Sequence, residues 1–265
     1  PVDALLQLPG SYASYLFKEL SQYFRVNDAF APGQRAIRRV FRQSVSVETL
    51  ERINRRVGLQ AEAYLDELPA PPADEEGELL VLSGDGKGVP LIKADAERVP
   101  LFNAPASPGN RRMATLAAVY SVDRFERSKD DVLASQFREH SSSRSNRPKR
   151  PEPIAKQLTA RFATERDLGD GPELISGVTQ AFSWAARRIN DRRRNAKPVI
   201  CLIDGDPKLW DGAAAALGPD VSRIEILDLL HAACGTVCLA SGEGVPLSPG
   251  RSRPIPGSAA SILSL

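Results

Sequence analysis

The sequence predicts an α/β fold preceded by a small helical region. Beyond residue 78, short apolar runs that each lead to an aspartate are typical of buried strands. Amphipathic segments with helical spacing lie between these runs and also within the first 70 residues. A proline-rich, acidic stretch at 68–77 predicts a linker between the two regions.

The helical region predicts three helices. Apolar spacing indicates one helix over 12–29 and a second over 32–43. The buried face of the second would consist of Ile37, Val40 and Phe41. Ser46 is a suitable N-cap for the third helix. Two helices joined by a short turn resemble a helix-turn-helix, and we therefore interpret 1–70 as a DNA-binding domain.

Basic side chains are concentrated in this region. Residues 31–56 contain seven arginines against two glutamates, a local net charge of +5. The arginines are Arg35, Arg38, Arg39, Arg42, Arg52, Arg55 and Arg56. Such a concentration is typical of a surface that binds a polyanion. The alternative is an ordinary helical hairpin with a solvated basic face.

The second region predicts alternating strands and helices. Its helices are expected over 131–138, 172–194 and 207–217, and a further long strand over 113–122. Three apolar runs end in an aspartate, namely Asp85, Asp204 and Asp228. Carboxylates at strand ends can converge and bind Mg²⁺, two ions of which can assist phosphodiester cleavage. The alternative is that each aspartate only begins a turn or caps a helix.

Glycines surround the first of these aspartates. Gly84, Gly86 and Gly88 predict a sharp exit from the strand and a close approach of the backbone to a ligand. A separate short strand is expected over 89–92. Lys87 is a candidate for contact with a DNA phosphate. The alternative for Lys87 is a solvated side chain in a turn.

Four ordered blocks, together spanning roughly residues 10–232, resemble the ISKra-type bacterial insertion-sequence transposases, which are similar to the Mutator-like group. They are Ser83-Gly-Asp-Gly-Lys-Gly-Val-Pro90, Arg112-Met-Ala-Thr-Leu-Ala-Ala-Val-Tyr-Ser-Val-Asp123, Pro198-Val-Ile-Cys-Leu-Ile-Asp-Gly-Asp-Pro-Lys-Leu-Trp210 and Ile226-Leu-Asp-Leu-Leu-His231. The ordered set is far more specific than any single block.

The resemblance implies an RNase H-like core over 71–234, a mixed sheet with flanking helices. It implies that Asp85 and Asp204 are the first two carboxylates of a DDE triad that binds two Mg²⁺ ions. Asp228 and His231 are similar to the Asp-x-x-His element of the group. For His231 the alternative is a hydrogen-bonded polar residue near a strand end. The implied substrate is double-stranded DNA, both the element ends and the target, and such enzymes generally act as homo-oligomers.

The third carboxylate of the triad, a glutamate on a helix, has no counterpart in the blocks. Residues 235–265 contain 15 Gly, Pro or Ser among 31, which predicts a disordered tail that a truncation or frameshift would explain. Glu243 lies in a turn context within it. We therefore expect Mg²⁺-dependent cleavage and strand transfer to be impaired in this chain. The alternative is a non-catalytic DNA-binding remnant that inhibits transposition.

Other function classes receive less support. Val199-Ile-Cys-Leu-Ile-Asp-Gly-Asp206 is also similar to a haloacid dehalogenase-type phosphotransferase motif, but Pro207 and Lys208 depart from that pattern. Three cysteines favour a reducing, cytoplasmic location, and no apolar run predicts a membrane span. The segment 141–153 is basic and of low complexity, which predicts a linker.

Overall fold

A computed structural model of the chain describes residues 13–102, 109–136, 149–167, 169, 171–193 and 198–228. The chain divides into two compact units, Pro1–Pro69 and Ala70–Leu265. The division falls within the proline-rich stretch at 68–77. In the described residues, no helix is both long and apolar enough to cross a bilayer.

The described residues of the first unit form three helices, α1 (Tyr15–Asn27), α2 (Phe30–Phe41) and α3 (Val47–Glu67). The predicted N-cap of the third helix is confirmed, because the Ser46 side chain accepts a hydrogen bond from the Thr49 backbone N–H at 3.1 Å. The Gln34 side-chain amide donates to the Val45 carbonyl at 2.6 Å. This bond ties α2 to the turn that leads into α3.

The buried face of α2 differs in part from the prediction. Ile37 is fully buried, as expected, and Gly33 is buried one turn before it. Phe41 packs edge-on against Phe17 of α1, with ring centroids 6.1 Å apart. The expectation for Val40 was wrong, since 60% of it is exposed. The residues facing the neighbouring helices follow an i, i+4, i+8 row, and Val40 lies beside that row rather than in it.

The second unit is a mixed α/β structure. Five strands form its main sheet: β1 (Leu79–Pro90), β2 (Arg111–Val122), β3 (Ile154–Arg161), β6 (Val199–Ile203) and β7 (Arg223–Leu227). Their order across the sheet is β3-β2-β1-β6-β7. The first three strands are antiparallel neighbours, whereas β6 runs parallel to β1 and β7 runs parallel to β6. A separate hairpin pairs β4 (Thr164–Asp167) with β5 (Pro172–Ile175).

In the described part of this unit there are four helices: α4 (Lys93–Ala96), α5 (Lys129–Gln136), α6 (Gly177–Arg192) and α7 (Pro207–Leu217). Helices α6 and α7 pack on one face of the sheet and bury its core with Leu82, Val119, Cys201 and Ile203. Phe182 and Ile189 are the largest fully buried side chains that α6 contributes. The predicted helix over 207–217 is confirmed, and Pro207 occupies its first turn.

Two predicted boundaries were wrong, and strand β3 was missed. Strand β1 continues unbroken from Leu79 to Pro90, because its backbone pairs with β2 along that whole length. The helix expected from 172 begins at Gly177, after the N-cap Ser176, and the four residues Pro172–Ile175 form β5 instead. Strand β3 was not predicted, since its outward side chains interrupt the apolar pattern.

A buried ion pair ties the end of α6 to the start of the unit. The guanidinium of Arg192 donates to both carboxylate oxygens of Glu76, at 2.8 and 2.9 Å. It also donates to the Ala155 carbonyl at 3.0 Å. The Arg192 side chain is 1% exposed and that of Glu76 is 11% exposed. Removing one partner would therefore leave a buried charge without compensation.

We predict that Arg192→Met lowers the free energy of unfolding by about 3–5 kcal/mol, because Glu76 would stay buried without its partner. Arg187→Met, on the exposed side of the same helix, serves as the control and should change stability by less than about 1 kcal/mol. Urea unfolding followed by circular dichroism measures both. Equal effects of the two substitutions would contradict the assigned role of the ion pair.

Candidate active site

Parallel pairing brings two of the predicted aspartates to neighbouring positions. The ladder between β1 and β6 ends with Gly84 opposite Ile203. Asp85 and Asp204 are the next residue on each strand. Adjacent strands lie about 4.8 Å apart, so the two backbones present their aspartates side by side.

The third aspartate continues the same row. Strand β7 pairs with β6 up to Leu227 opposite Ile203, and Asp228 follows. The backbone N–H of Asp228 donates to the Ile203 carbonyl at 3.0 Å, which extends the pairing by one residue. Asp85, Asp204 and Asp228 therefore occupy one register level on three adjacent strands.

Asp85 belongs to the sheet face opposite α6 and α7. Gly84 and Ile203 face those helices, and successive side chains on a strand alternate between faces. Asp85 therefore points to the other face, whereas Asp204 lies in the turn that follows β6. Lys87 lies two residues after Asp85, so its exposed side chain shares that face. The Lys87 ammonium group therefore lies on the same strand and the same face as Asp85.

The glycines around Asp85 have a role different from the predicted one. Asp85 lies within a continuous strand, so there is no sharp exit there. A Cβ on Gly84 would lie 2.7 Å from the Phe182 ring, whereas one on Gly86 would meet only the Met113 sulfur at 3.8 Å. Gly84 is required because the buried ring of α6 packs against the β1 backbone.

The turn that carries Asp204 is tightly hydrogen-bonded. Oδ1 of Asp204 accepts the backbone N–H of Asp206 at 2.7 Å. Asp206 in turn caps α7, accepting the Lys208 backbone N–H at 2.9 Å. The indole N–H of Trp210 donates to the Asp204 carbonyl at 2.7 Å. Trp210 was part of a recognised sequence block, but no sequence signal assigned it this contact.

The donor chemistry of the row suits a hard divalent cation, since Mg²⁺ prefers carboxylate oxygens. Asp85 and Asp204 are the residues that would hold it, because they are direct neighbours. Within the described ranges, however, no three acidic, histidine or cysteine side chains converge as a metal-binding group.

The seven predicted arginines are all exposed in the helical unit. Arg35, Arg38, Arg39 and Arg42 follow the spacing i, i+3, i+4, i+7, so they share one face of α2, and together they line a shallow groove. In the part of the chain that the structure describes, none of these four forms an ion pair with a carboxylate. This arginine row therefore presents a concentrated positive charge to solvent.

The arginines of α3 form a second exposed group, Arg52, Arg55 and Arg56. Arg25 of α1 is different, because its guanidinium lies 4.1 Å from the centre of the Phe30 ring. Burial lowers the pKa of Arg25, and the nearby Glu51 carboxylate partly opposes that shift. Arg25 is thus an internal cation and does not contribute to the arginine row.

Some predicted residues fall outside the described part of the chain. They are His231, Glu243 and the predicted tail at 235–265. Cys201 lies in the core, and burial raises the pKa of its thiol to about 11. At neutral pH this group stays protonated, so Cys201 is unsuited to act as a nucleophile.

Comparison with known proteins gives no family assignment: no protein-family model matches the chain, and no curated protein is significantly similar to it.

We predict that Gly84→Ala lowers the free energy of unfolding by about 1–3 kcal/mol, because the new methyl group would overlap the Phe182 ring. Gly86→Ala, on the same strand and on the other side of Asp85, should cost less than Gly84→Ala. Chemical denaturation measures both, and Phe182→Leu combined with Gly84→Ala should recover part of the loss. Similar costs at the two glycines would contradict this account of Gly84.

Proposed function

We propose that the chain is a Mg²⁺-dependent polynucleotidyl transferase or nuclease of the DDE transposase lineage. The observation that carries this proposal is the shared register level of Asp85, Asp204 and Asp228 on three adjacent strands. Asp204 also begins a turn, since its Oδ1 accepts the Asp206 N–H, and the proposal adds metal binding to that role. The resemblance to insertion-sequence transposases names the same aspartates independently of the register.

The chemistry follows from where these side chains lie. Asp85 and Asp204 would bind the cation between neighbouring strands, and Asp228 would bound the site on the β7 side. When bound, Mg²⁺ activates the attacking water or 3′-hydroxyl and stabilises charge on the phosphate. Lys87 lies two residues, about 6.6 Å, along the strand from Asp85 and would contact a backbone phosphate there.

The fold is compatible with the proposed class. Strands β1, β2 and β3 form an antiparallel meander, and the parallel pair β6–β7 lies beside β1. This order of strands supports an RNase H-like core. In the helical unit, α2 and α3 are joined by a five-residue turn and carry exposed arginines, which supports a helix-turn-helix-like DNA-binding domain. Double-stranded DNA at element ends is the substrate we propose.

A second candidate function is DNA binding without cleavage. It is favoured by the arginine row, whose four side chains pair with no carboxylate in the described ranges, and by the lack of three converging ligands there. Two carboxylates would bind a divalent cation weakly, and two-metal chemistry would then be impaired. Such a protein would occupy element ends and compete with an active enzyme.

We predict that Asp85→Asn and Asp204→Asn each reduce Mg²⁺-dependent DNA nicking by at least about a hundredfold, because each removes a proposed metal ligand. Asp211→Asn, on the exposed surface of α7, is the matched control and should nick like the parent chain. A supercoiled plasmid with and without Mg²⁺ measures the activity.

The outcomes separate the candidate functions. Nicking that survives in both aspartate variants would sink the proposed site. DNA binding by a parent chain that never nicks would favour the second candidate. Hydrolysis of a small phosphate monoester that is lost in Asp204→Asn would indicate a phosphotransferase instead.

We also predict that replacing Arg35, Arg38, Arg39 and Arg42 together with glutamine weakens DNA binding. The slope of log K against log salt should become shallower by about 0.9 for each lost phosphate contact. The charge-matched control replaces Arg98, Arg124, Arg150 and Arg166, all exposed in the second unit. Fluorescence anisotropy at several salt concentrations measures both, and an unchanged slope in the α2 variant would exclude the arginine row as a DNA contact.

A further inference from the structure

We infer that Trp210 is a positioning residue for the metal ligand Asp204, which it holds through the Asp204 main chain. The inference rests on the proposed metal site. Its direct basis is the 2.7 Å hydrogen bond from the Trp210 indole N–H to the Asp204 carbonyl. The bond joins α7 to the end of β6, where the carboxylate row lies.

Two bonds fix Asp204 from different directions. The Asp206 backbone N–H holds one carboxylate oxygen, Oδ1, at 2.7 Å. The indole of Trp210 holds the carbonyl of the same residue. The first bond sets the side-chain rotamer, and the second sets the orientation of the peptide plane from which that side chain extends. Together they leave Asp204 little freedom to turn away from Asp85.

This contact is more than a routine helix cap. The first turn of α7 is already capped by Asp206, whose side chain accepts the Lys208 N–H. The Trp210 indole instead reaches back past the start of its helix to a carbonyl at the strand end. Its ring packs against the core that contains Leu209 and Ala213. The rigid, partly buried Trp210 side chain therefore holds the carbonyl oxygen of Asp204.

The geometry also predicts how Asp204 would bind a cation. Because Oδ1 already accepts a backbone N–H, only Oδ2 offers its full lone-pair capacity. No donor among the described residues contacts Oδ2. Asp204 would therefore ligate through one oxygen, and small rotations of its main chain would move that oxygen directly.

The test compares the two tryptophans of the chain. Trp210→Phe keeps an aromatic ring and removes the N–H donor, and we expect Mn²⁺ affinity to fall about 10–100-fold. Trp184→Phe is the matched control, because Trp184 is 2% exposed in the same core and lies away from the aspartates along α6. Both variants should lose similar stability in urea, but only Trp210→Phe should weaken Mn²⁺ binding, measured by calorimetry and by electron paramagnetic resonance.

The outcomes distinguish failure of the positioning role of Trp210 from failure of the proposed metal site. If Trp210→Phe folds and binds Mn²⁺ as the parent chain does, the positioning role is wrong and the metal site stands. If Asp204→Asn binds Mn²⁺ as the parent chain does, or if the parent does not bind it, the metal site itself is wrong and the inference fails with it.

A measurement on the Trp184→Phe chain does not require any change at position 210. Its single remaining indole N–H gives one nitrogen-correlated proton resonance, and Mg²⁺ should shift that resonance with a saturable dependence. Adding Asp204→Asn should abolish the shift. A resonance that stays unchanged while calorimetry of the same chain shows Mg²⁺ binding that Asp204→Asn abolishes would overturn the role of Trp210, even if Trp210→Phe failed to fold.

Discussion

The packing of one aromatic ring sets the position of both strand and helix at the candidate site. Phe182 of α6 is fully buried and lies against the backbones of Gly84 on β1 and Gly212 on α7, where added Cβ atoms would approach the ring to 2.7 and 3.2 Å. Gly84 immediately precedes Asp85, and Gly212 lies two residues after Trp210. The ring therefore fixes the distance between α6 and the β1 backbone beside Asp85, and at Gly212 the Val178 side chain adds a closer restriction than the ring.

Much of the fold was accessible from the sequence where one physical signal dominated. The strand at Val199–Ile203 and the helix at Pro207–Leu217 were predicted, because a continuous apolar run and an N-terminal proline are strong local signals. The beginning of α6 was missed, since the short strand Pro172–Ile175 depends on its hairpin partner rather than on its own pattern. Ser176 was the available signal, a cap residue just before the helix.

At the candidate site, too, the sequence identified individual residues but not the contacts between distant segments. Sequence analysis identified Asp85, Asp204 and Asp228 one by one, but no local pattern gives the register between strands that are far apart in the chain. The sharp exit predicted at Gly84 was wrong because β1 continues through Asp85, and the contact of Gly84 with the distant Phe182 ring has no local sequence signal. The contact of Trp210 depends on the direction in which α7 leaves the turn, which is a tertiary property. Charge density alone, by contrast, identified the arginine row correctly as an exposed surface.

The strand order determines when during folding Asp85 and Asp204 become neighbours. Strands β1 and β2 are close in sequence and can form their hairpin early, whereas β1 meets β6 only after more than a hundred intervening residues. Closing so long a loop costs chain entropy before any new contact compensates it, so long-range parallel pairing is slow. Asp85 and Asp204 become neighbours only in that step. A chain in which only the meander has formed would therefore lack the neighbouring pair Asp85 and Asp204 on which the proposed site depends.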